Sequence, residues 1–157
     1  MVQRAYKFRF YPTPEQADQL ARTFGCARFV FNHFLRVRAD SFFNEKKRIG
    51  YNETCLLLTT LKQQPETEWL NEASNVCLQQ SLRNLDVAFK NFFQKRAKHP
   101  TFKSKHGPQS ARYMNNAFRI KDGQLWLAKQ DAPLNVRWSR ELPSAPSSVT
   151  VSRDCAG

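Results

Sequence analysis

The sequence lacks any apolar run long enough to span a membrane. None of its 157 residues belongs to a stretch that approaches 18 consecutive apolar side chains, and the N-terminus lacks the charged-then-apolar pattern of a signal peptide. We therefore expect a cytoplasmic protein with no membrane partner.

Cysteine pairs at metal-binding spacing are also absent. Cys26, Cys55, Cys77 and Cys155 lie tens of residues apart, and the first three fall inside helical patterns. This spacing disfavours a zinc site or a disulfide framework and favours small buried side chains. We predict no metal site and no cofactor in this chain.

Acidic residues are few, and their distribution is uneven. Thirteen Asp and Glu stand against 25 Lys and Arg, a net charge of +12, while 41% of the residues are hydrophobic, as in a folded domain. Between Asp86 and Asp122 there is no acidic residue at all. The bases of that interval are Lys90, Lys95, Arg96, Lys98, Lys103, Lys105, Arg112, Arg119 and Lys121.

Such a run of like charge repels itself, whereas a phosphate backbone neutralises it and releases counterions. Aromatic residues interleave with these bases, a combination typical of proteins that bind RNA or single strands. Taken alone, the aromatic residues are more typical of a core. The basic run therefore carries the prediction of nucleic-acid binding.

No group of residues has the spacing of a catalytic site. His33, His99 and His106 have no nucleophile or carboxylate at a recognisable distance in sequence, and the acids lie mostly singly along helix faces and turns. We predict no catalytic residue, with each histidine either hydrogen-bonded or exposed.

The N-terminus predicts a strand that leads directly into a helix. Tyr6, Phe8 and Phe10 alternate with Lys7, Arg9 and Tyr11, which indicates a half-buried strand with a cationic outer face. Thr13 and Gln16 have the spacing of a capping box around Pro14, which suits the first helical position.

The middle of the chain predicts four helices and a short turn. The predicted elements are a helix over 14–24 capped by Gly25, a second over about 27–46, a third capped by Asn52 and ended by Pro65, a turn at Trp69-Leu70, and a long helix from a Ser74 cap to about Lys98. The long helix should bury a stripe from Leu78 to Phe93. Its opposite face carries amides, bases and one acid, namely Asn75, Gln79, Arg83, Asp86, Lys90 and Gln94; a solvated face is the alternative.

From Ala111 onward the pattern predicts strands. Residues 117–127 predict a hairpin with Asp122-Gly123 as its two-residue turn. Further strands are expected at 134–138 and 149–151, followed by the opening of another turn over 152–157. Because no return strand follows, we expect the chain to stop inside a domain.

Several motifs together resemble one family. They are Tyr6-Lys-Phe-Arg-Phe-Tyr-Pro-Thr-Pro-Glu-Gln16, Gly25-Cys-Ala-Arg-Phe-Val-Phe-Asn-His33, Leu61-Lys62, Trp69-Leu70, Leu78-Gln79, Leu82, Asn84-Leu85, Ala88-Phe89 and Asn91-Phe-Phe93. They resemble the N-terminal part of the TnpB/OrfB transposon proteins, RNA-guided nucleases formerly called transposases. The resemblance covers essentially the whole chain.

The resemblance implies an α+β fold with a split domain. Residues 1–12 and 100–157 would form a wedge-type β-barrel, interrupted by a helical recognition lobe over 13–99 whose start resembles a helix-turn-helix. Guide RNA and target DNA would be the partners, in the cytoplasm of a prokaryote and associated with the nucleoid. The Gly-x-Asp strand and the later acids that hold two metals for cleavage in the family are absent from this sequence, and so is the family's late four-cysteine zinc ribbon.

The interpretation favoured here is a nucleic-acid-binding module. The residues predicted to contact nucleic acid are Lys7, Arg9, Arg28, Asn32, Tyr51, Asn75, Gln79, Arg83, Lys90, Lys95, Arg96, Lys98, Lys103, Lys105 and Arg112. The alternative is a fragment of an active endonuclease whose catalytic half is encoded downstream or is supplied by a full-length copy. A decayed remnant is the third alternative.

Overall fold

The computed structural model describes residues 3–153, which form an α+β fold, the class that the sequence predicts. In chain order the elements are β1 (Arg9–Tyr11), α1 (Pro14–Glu45), α2 (Tyr51–Leu61), a 3-10 helix (Glu68–Glu72), α3 (Asn75–Phe93), β2 (Gln109–Met114), β3 (Phe118–Lys121), β4 (Gln124–Leu127), β5 (Asn135–Arg137) and β6 (Ser148–Arg153).

Helix α1 begins as predicted but continues much further. The Gln16 N–H donates to the Thr13 hydroxyl (3.2 Å) and the Thr13 N–H donates to the Gln16 side-chain oxygen (3.0 Å), which confirms the capping box. The predicted break at Gly25 is wrong, because one helix runs through it to Glu45. A glycine costs a helix interior only about 1 kcal/mol. Burial of Phe24 and Cys26 on either side outweighs that cost.

The two later helices differ from prediction at one end each. Helix α2 begins at Tyr51, with Gly50 at its N-cap, so the predicted Asn52 cap is wrong. Tyr51 belongs to the helix because it packs against the buried side chains that the helices share. Ser74 caps α3 as predicted, since its hydroxyl accepts from the Val76 N–H at 3.3 Å. The expected end near Lys98 is wrong: the chain turns at Lys95, whose φ of 61° is left-handed.

The helices share one buried core, here called the helical core. Its most buried side chains come from α1, α2, the 3-10 helix and α3, and include Val30, Phe34, Leu58, Leu70, Leu78, Leu82 and Leu85. Leu70 is completely buried, so the predicted Trp69-Leu70 turn does pack on the helical layer. At about 25 cal/mol per Å² of apolar surface removed from water, this core dominates the stability of the helices.

The six strands form three antiparallel ladders of two strands each. β1 pairs with β5, with Arg9 opposite Arg137; β2 pairs with β6; and β3 pairs with β4. The predicted Asp122-Gly123 hairpin is confirmed, with φ values of 54° and 74° that suit a type I′ turn. The strands predicted at 134–138 and 149–151 are present as β5 and β6.

The first strand does pair with the late strands, as the split arrangement requires. Phe8 contacts Trp138 with ring centroids 5.0 Å apart, and Phe10 packs on the core beneath the strands. Over residues 3–153, however, the ladders do not join into a closed barrel, and a single bridge from Leu125 to Leu134 links the hairpin to β5. Strands of three to six residues offer too few positions for ladder hydrogen bonds to close a barrel.

The predicted turn after Val151 is wrong in its first part. Ser152 and Arg153 extend β6, because Ser110 and Gln109 of β2 lie opposite them and provide ladder partners. The rest of that prediction, over 154–157, lies outside the described residues.

A second core, here called the strand core, lies between the strands and the helices. Strand and loop residues contribute Ala111, Tyr113, Ala117, Leu125, Leu127, Leu134 and Val151, and the helices contribute Leu20, Phe24 and Cys77. Helix α1 therefore spans both cores, with Leu20 and Phe24 in the strand core and Cys26 and Val30 in the helical core. The change from one core to the other occurs at Gly25.

The remaining expectations concern membranes and metals. Within residues 3–153, no helix is long and apolar enough to cross a membrane, and no three His, Cys, Asp or Glu side chains are grouped to hold a metal ion. Cys26 and Cys77 are buried free thiols, as expected of small core residues. Burial raises the pKa of Cys26 to about 11 and that of Cys77 to about 12. Cys155 lies outside the described residues.

Candidate nucleic-acid interface

The acid-free part of the sequence includes the connection from α3 to β2, residues 94–108, here called the basic loop. Lys95, Arg96, Lys98 and Lys105 are exposed on it. Lys103 is exposed as well, but its ammonium lies 4.5 Å from the centre of the Phe31 ring, and partial burial there lowers its pKa. The loop therefore offers five exposed cations, one of which also packs on α1.

Asn32 of α1 holds the basic loop in place. Its side-chain amide donates to the Lys103 carbonyl (3.0 Å), and its side-chain oxygen accepts from the Lys103 N–H (2.7 Å). Both ends of this amide are therefore occupied by the backbone of one residue. Sequence reasoning proposed Asn32 as a nucleic-acid contact; the structure places it where it positions a basic segment, and contact with nucleic acid stays a prediction.

Gln109 fixes the other end of the basic loop. Its buried side-chain amide lies within hydrogen-bond distance of three loop carbonyls, the nearest being Gly107 at 2.8 Å, and its side-chain oxygen accepts from Arg28 at 3.0 Å. Arg28, another predicted contact, thus ties α1 to the start of β2. Nothing in the sequence pattern singled out Gln109, because its partners lie on a loop without regular period.

An aromatic cluster supports the start of the basic loop. His99 packs against Phe43, Phe89 and Phe92, with ring centroids 5.0 to 5.8 Å apart. Its Nδ1 lies 2.8 Å from the Pro100 carbonyl, whereas its buried Nε2 has no hydrogen-bond partner among the described residues. For His99, the expectation that each histidine is either hydrogen-bonded or exposed therefore holds at Nδ1 but not at Nε2.

The predicted polar stripe of α3 divides into two halves. Toward the N-terminus, Asn75 accepts from the Lys62 ammonium (2.9 Å), and the Arg83 guanidinium lies 4.6 Å from the centre of the Tyr51 ring. These contacts bring together four residues of α2, its C-cap and α3, three of them predicted site residues. Gln79 is half-buried on the same face.

Toward the C-terminus of α3, the stripe becomes an ion-pair network. Asp86 accepts from the buried Arg38 guanidinium at 3.1 Å and lies 3.1 Å from the Lys90 ammonium. Asp86 is the acid that precedes the long acid-free run, and it neutralises charge inside the protein. Lys90 therefore has an internal partner, while its side chain is still 68% exposed.

The outer face of β1 is cationic, as predicted. Lys7, Arg9 and Tyr11 are exposed, whereas Tyr6, Phe8 and Phe10 are half-buried. Arg9 lies directly opposite Arg137 of β5, and like charges in that position destabilise a ladder. An anion placed over the pair would remove that penalty, which suits a phosphate contact. Arg112 is likewise exposed on β2, and its Nε donates to the Ser148 hydroxyl at 3.3 Å.

An open groove lies along α1 beside the basic loop, and here it is called the aromatic groove. It encloses about 590 Å³, and its principal charged and aromatic lining residues are Arg22, Arg28, Arg36, Phe29, Trp69 and Phe102. Arg28, Asn32 and Arg36 recur at spacing four in the sequence, so the helical period alone places them on one face of α1. Trp69 and Phe102 come from distant segments, and no local pattern could place them there.

Comparisons with known proteins bear on the family of this chain. Residues 1–47 match the family of the OrfB protein of IS605, described as a helix-turn-helix domain. A protein of Streptomyces pristinaespiralis is 50% identical over 99% of this chain, and InsQ of Escherichia coli K12 is 34% identical over 97% of it. Both carry the name "Putative RNA-guided DNA endonuclease".

A shorter relative is similar along nearly its whole length. The virulence protein VsdF of Salmonella dublin is 34% identical over 113 residues, which is 66% of this chain and 95% of VsdF. The chain belongs to the TnpB/OrfB family. It spans 40% and 38% of the lengths of the two endonuclease-named members.

The helix-turn-helix description of the matched region does not fit its structure in this family member. Over residues 3–47 the chain forms β1 and the first and only helix of that range, α1, which has no turn within it. The unbroken helix instead presents one face to both cores and another to the basic loop and the aromatic groove.

Proposed function

We propose that this chain binds guide RNA and the target-adjacent DNA motif, as the recognition part of an RNA-guided nuclease of the TnpB/OrfB family. The names of its two longer relatives support the class of partner. The proposed binding needs no cofactor and takes place in the cytoplasm, at the nucleoid.

The basic loop is the observation that carries this proposal. Five exposed bases follow one another on a segment with no acidic residue, and Asn32 and Gln109 fix that segment to α1 and β2. Holding like charges together in a fixed segment costs free energy that a flexible loop would avoid. Phosphate removes this cost and releases condensed counterions, so the arrangement favours a polyanion.

Salt dependence tests the proposal directly. The variant Lys95→Gln/Lys98→Gln should bind a structured RNA more weakly, and the slope of log K against log salt should flatten by about 0.7 to 0.9 for each phosphate that the protein no longer neutralises. Fluorescence anisotropy at several salt concentrations measures both quantities.

A matched variant controls for net charge. Lys121→Gln/Lys129→Gln removes the same charge from exposed positions on the hairpin and its following turn. This variant should keep the parent's slope. Equal slopes for the two variants, or an unchanged slope for both, would contradict a phosphate-binding role for the basic loop.

The DNA motif is proposed to contact the face shared by α2 and α3. Tyr51, Asn75 and Arg83 are held there by the contacts described above, and half-buried Gln79 lies between Asn75 and Arg83 on the helix. A side-chain amide can bond adenine through two atoms in the major groove, whereas a base on phosphate gives no sequence information.

Substitution of Gln79 separates base recognition from bulk affinity. Gln79→Ala should reduce preference at one base position by about 5- to 150-fold, the equivalent of about 1 to 3 kcal/mol, while binding to random duplex stays nearly unchanged. A motif-library assay with guide RNA measures this. Asn84→Ala, on an exposed part of α3, serves as the control. Identical base preferences for Gln79→Ala and the parent would remove Gln79 from the site.

The second candidate function is cleavage together with a nuclease half, favoured by the names of the longer relatives. In the first candidate function, by contrast, the chain binds nucleic acid and does not cleave it. A plasmid-cleavage assay with guide RNA and Mg²⁺ separates the two. Cleavage by the purified chain alone would contradict a chain that only binds, and faster cleavage by a full-length copy with this chain than by the copy alone would favour action in trans.

A further inference from the structure

The aromatic groove is built from three segments that are far apart in sequence. Helix α1 forms one wall, the 3-10 helix contributes Trp69, and the basic loop contributes Phe102. The two hydrogen bonds of Asn32 to Lys103 fix the residue next to Phe102, so the ring is attached to an anchored part of the loop. The volume of about 590 Å³ falls within the range of about 300–1,000 Å³ typical of ligand sites.

The rings of the aromatic groove remain accessible to a ligand. Phe102 is 62% exposed and Trp69 is 39% exposed, both unusual for side chains of their size. Behind them, Phe29 stacks on His33 with centroids 5.5 Å apart and meets Trp69 edge to face at 5.0 Å. Exposed aromatic surface around a concavity marks a binding site more often than a free surface.

The charge of the aromatic groove is positive and available. Arg36 is 79% exposed, and its nearest acid is 3.9 Å away on equally solvated Asp40; such exposed pairs contribute little. Arg22 pairs with Asp18 at 2.5 Å and lies 4.0 Å from Glu72, the acid that lines the groove; its side chain is still 53% exposed, and both pairs are solvated. Burial lowers the pKa of His33, which leaves this imidazole neutral near pH 7. Guanidinium groups therefore lie at the rim of an apolar floor.

We propose that the aromatic groove holds an unpaired nucleotide of a single strand, with its base against Phe102 and Trp69 and its flanking phosphates at Arg22 and Arg36. This inference rests on the proposed nucleic-acid binding and assigns it a second contact. A planar base between aromatic rings, with arginine on its phosphates, is the chemistry by which proteins hold single strands. A duplex keeps its bases stacked inside and cannot supply such a ring, and an apolar peptide leaves the guanidinium groups without an anion.

Trp69 can report on its own site. The chain has three tryptophans, and Trp126→Phe/Trp138→Phe leaves Trp69 as the single indole fluorophore while keeping a ring at both other positions. Circular dichroism checks the fold of this background. Oligo(U), oligo(dT) and a blunt duplex are titrated separately, with anisotropy of the labelled strand measuring binding and Trp69 emission measuring contact. A single strand should quench Trp69 as it binds, and the duplex should not.

Phe102→Ala tests the stacking, with Leu56→Ala as the control. Both side chains are exposed, 62% and 72%, so neither change removes a buried core residue, and Leu56 is not among the groove residues. Loss of one stacked base costs about 1 to 3 kcal/mol, so Phe102→Ala should weaken single-strand binding by about 5- to 150-fold. Leu56→Ala should leave the affinity within twofold of the parent.

Failure of this inference can be told apart from failure of the proposed function. Single strands that bind by anisotropy without quenching Trp69, or with equal affinities for the Phe102→Ala and Leu56→Ala variants, would overturn the aromatic groove as a base site while the basic loop remains a binding surface. Quenching by duplex alone would also overturn it. Absence of binding to every strand would overturn both proposals. The stronger of the oligo(U) and oligo(dT) responses tells whether the groove holds RNA or DNA.

Discussion

The helical core is built almost entirely from side chains of the helices, whereas the strand core needs side chains from the helices as well as from the strands. The helices bury a continuous set of residues among themselves, including Val30, Leu58, Leu78 and Leu82, all at most 1% exposed. The strand core instead relies on Leu20, Phe24 and Cys77 from the helices to cover strands of only three to six residues. Long elements can bury an apolar face against one another, whereas short ladders need an outside layer.

This difference assigns the two regions different roles in the binding surface. The helical core holds α1 rigidly, and α1 positions the basic loop through Asn32 and the aromatic groove through Arg28 and Arg36. The strands contribute charge on solvent-facing positions, including Arg9 and Arg112. A site supported by a helix is fixed more tightly than one supported by ladders of a few residues.

Loss of a side chain from the helical core should give the largest effect. Leu82 is completely buried, so Leu82→Ala should lower the free energy of unfolding by about 2 to 5 kcal/mol through reduced burial and the cavity left behind. Leu56→Ala, at a position 72% exposed on α2, should change it by less than about 0.5 kcal/mol. Urea denaturation of both variants measures the difference, and similar losses would contradict a self-supporting helical core.

The anchor of the basic loop should matter less for overall stability. Asn32→Ala removes two hydrogen bonds, each contributing about 0.5 to 1.5 kcal/mol, so we expect a loss of about 1 to 3 kcal/mol. Hydrogen exchange should become faster at the Lys103 amide and along residues 100–106. Asn32→Asp keeps the acceptor for the Lys103 N–H and should protect that amide more than Asn32→Ala does. Unchanged exchange in the loop would mean that Asn32 does not hold it.

The smallest expected effect has the opposite sign and tests the junction of the two cores. In an unbroken helix Gly25→Ala should stabilise the protein by about 0.5 to 1 kcal/mol, because alanine is the better helix former and its Cβ would meet nothing closer than the Arg28 guanidinium at 3.9 Å. Thermal unfolding measures the shift. Destabilisation would instead indicate a turn at Gly25, as a helix-turn-helix requires. Such a turn would let the helical core and the strand core move independently.

Local chemistry set several features that the sequence predicted correctly. The Thr13–Gln16 capping box, the Ser74 cap and the Asp122-Gly123 turn each depend on residues within a few positions of one another. The alternation from Tyr6 to Tyr11 likewise follows from the strand period. The acid-free run is a property of the sequence alone, and it carries the strongest indication of a polyanionic partner.

Tertiary packing decided the rest. Gly25 stays helical because Phe24 and Cys26 are buried in two different cores, and no window around Gly25 contains that information. The ladder of β1 with β5, the hydrogen bonds of Asn32 to the basic loop and of Arg28 to Gln109, and the shared groove of Trp69 and Phe102 bring together residues that are distant in the chain. Sequence by itself determined the Thr13 and Ser74 caps, the Asp122-Gly123 turn and the distribution of charge along the chain, because each depends on residues within a few positions or on composition. Which side chains are left free to bind depends on long-range contacts that only the folded chain makes.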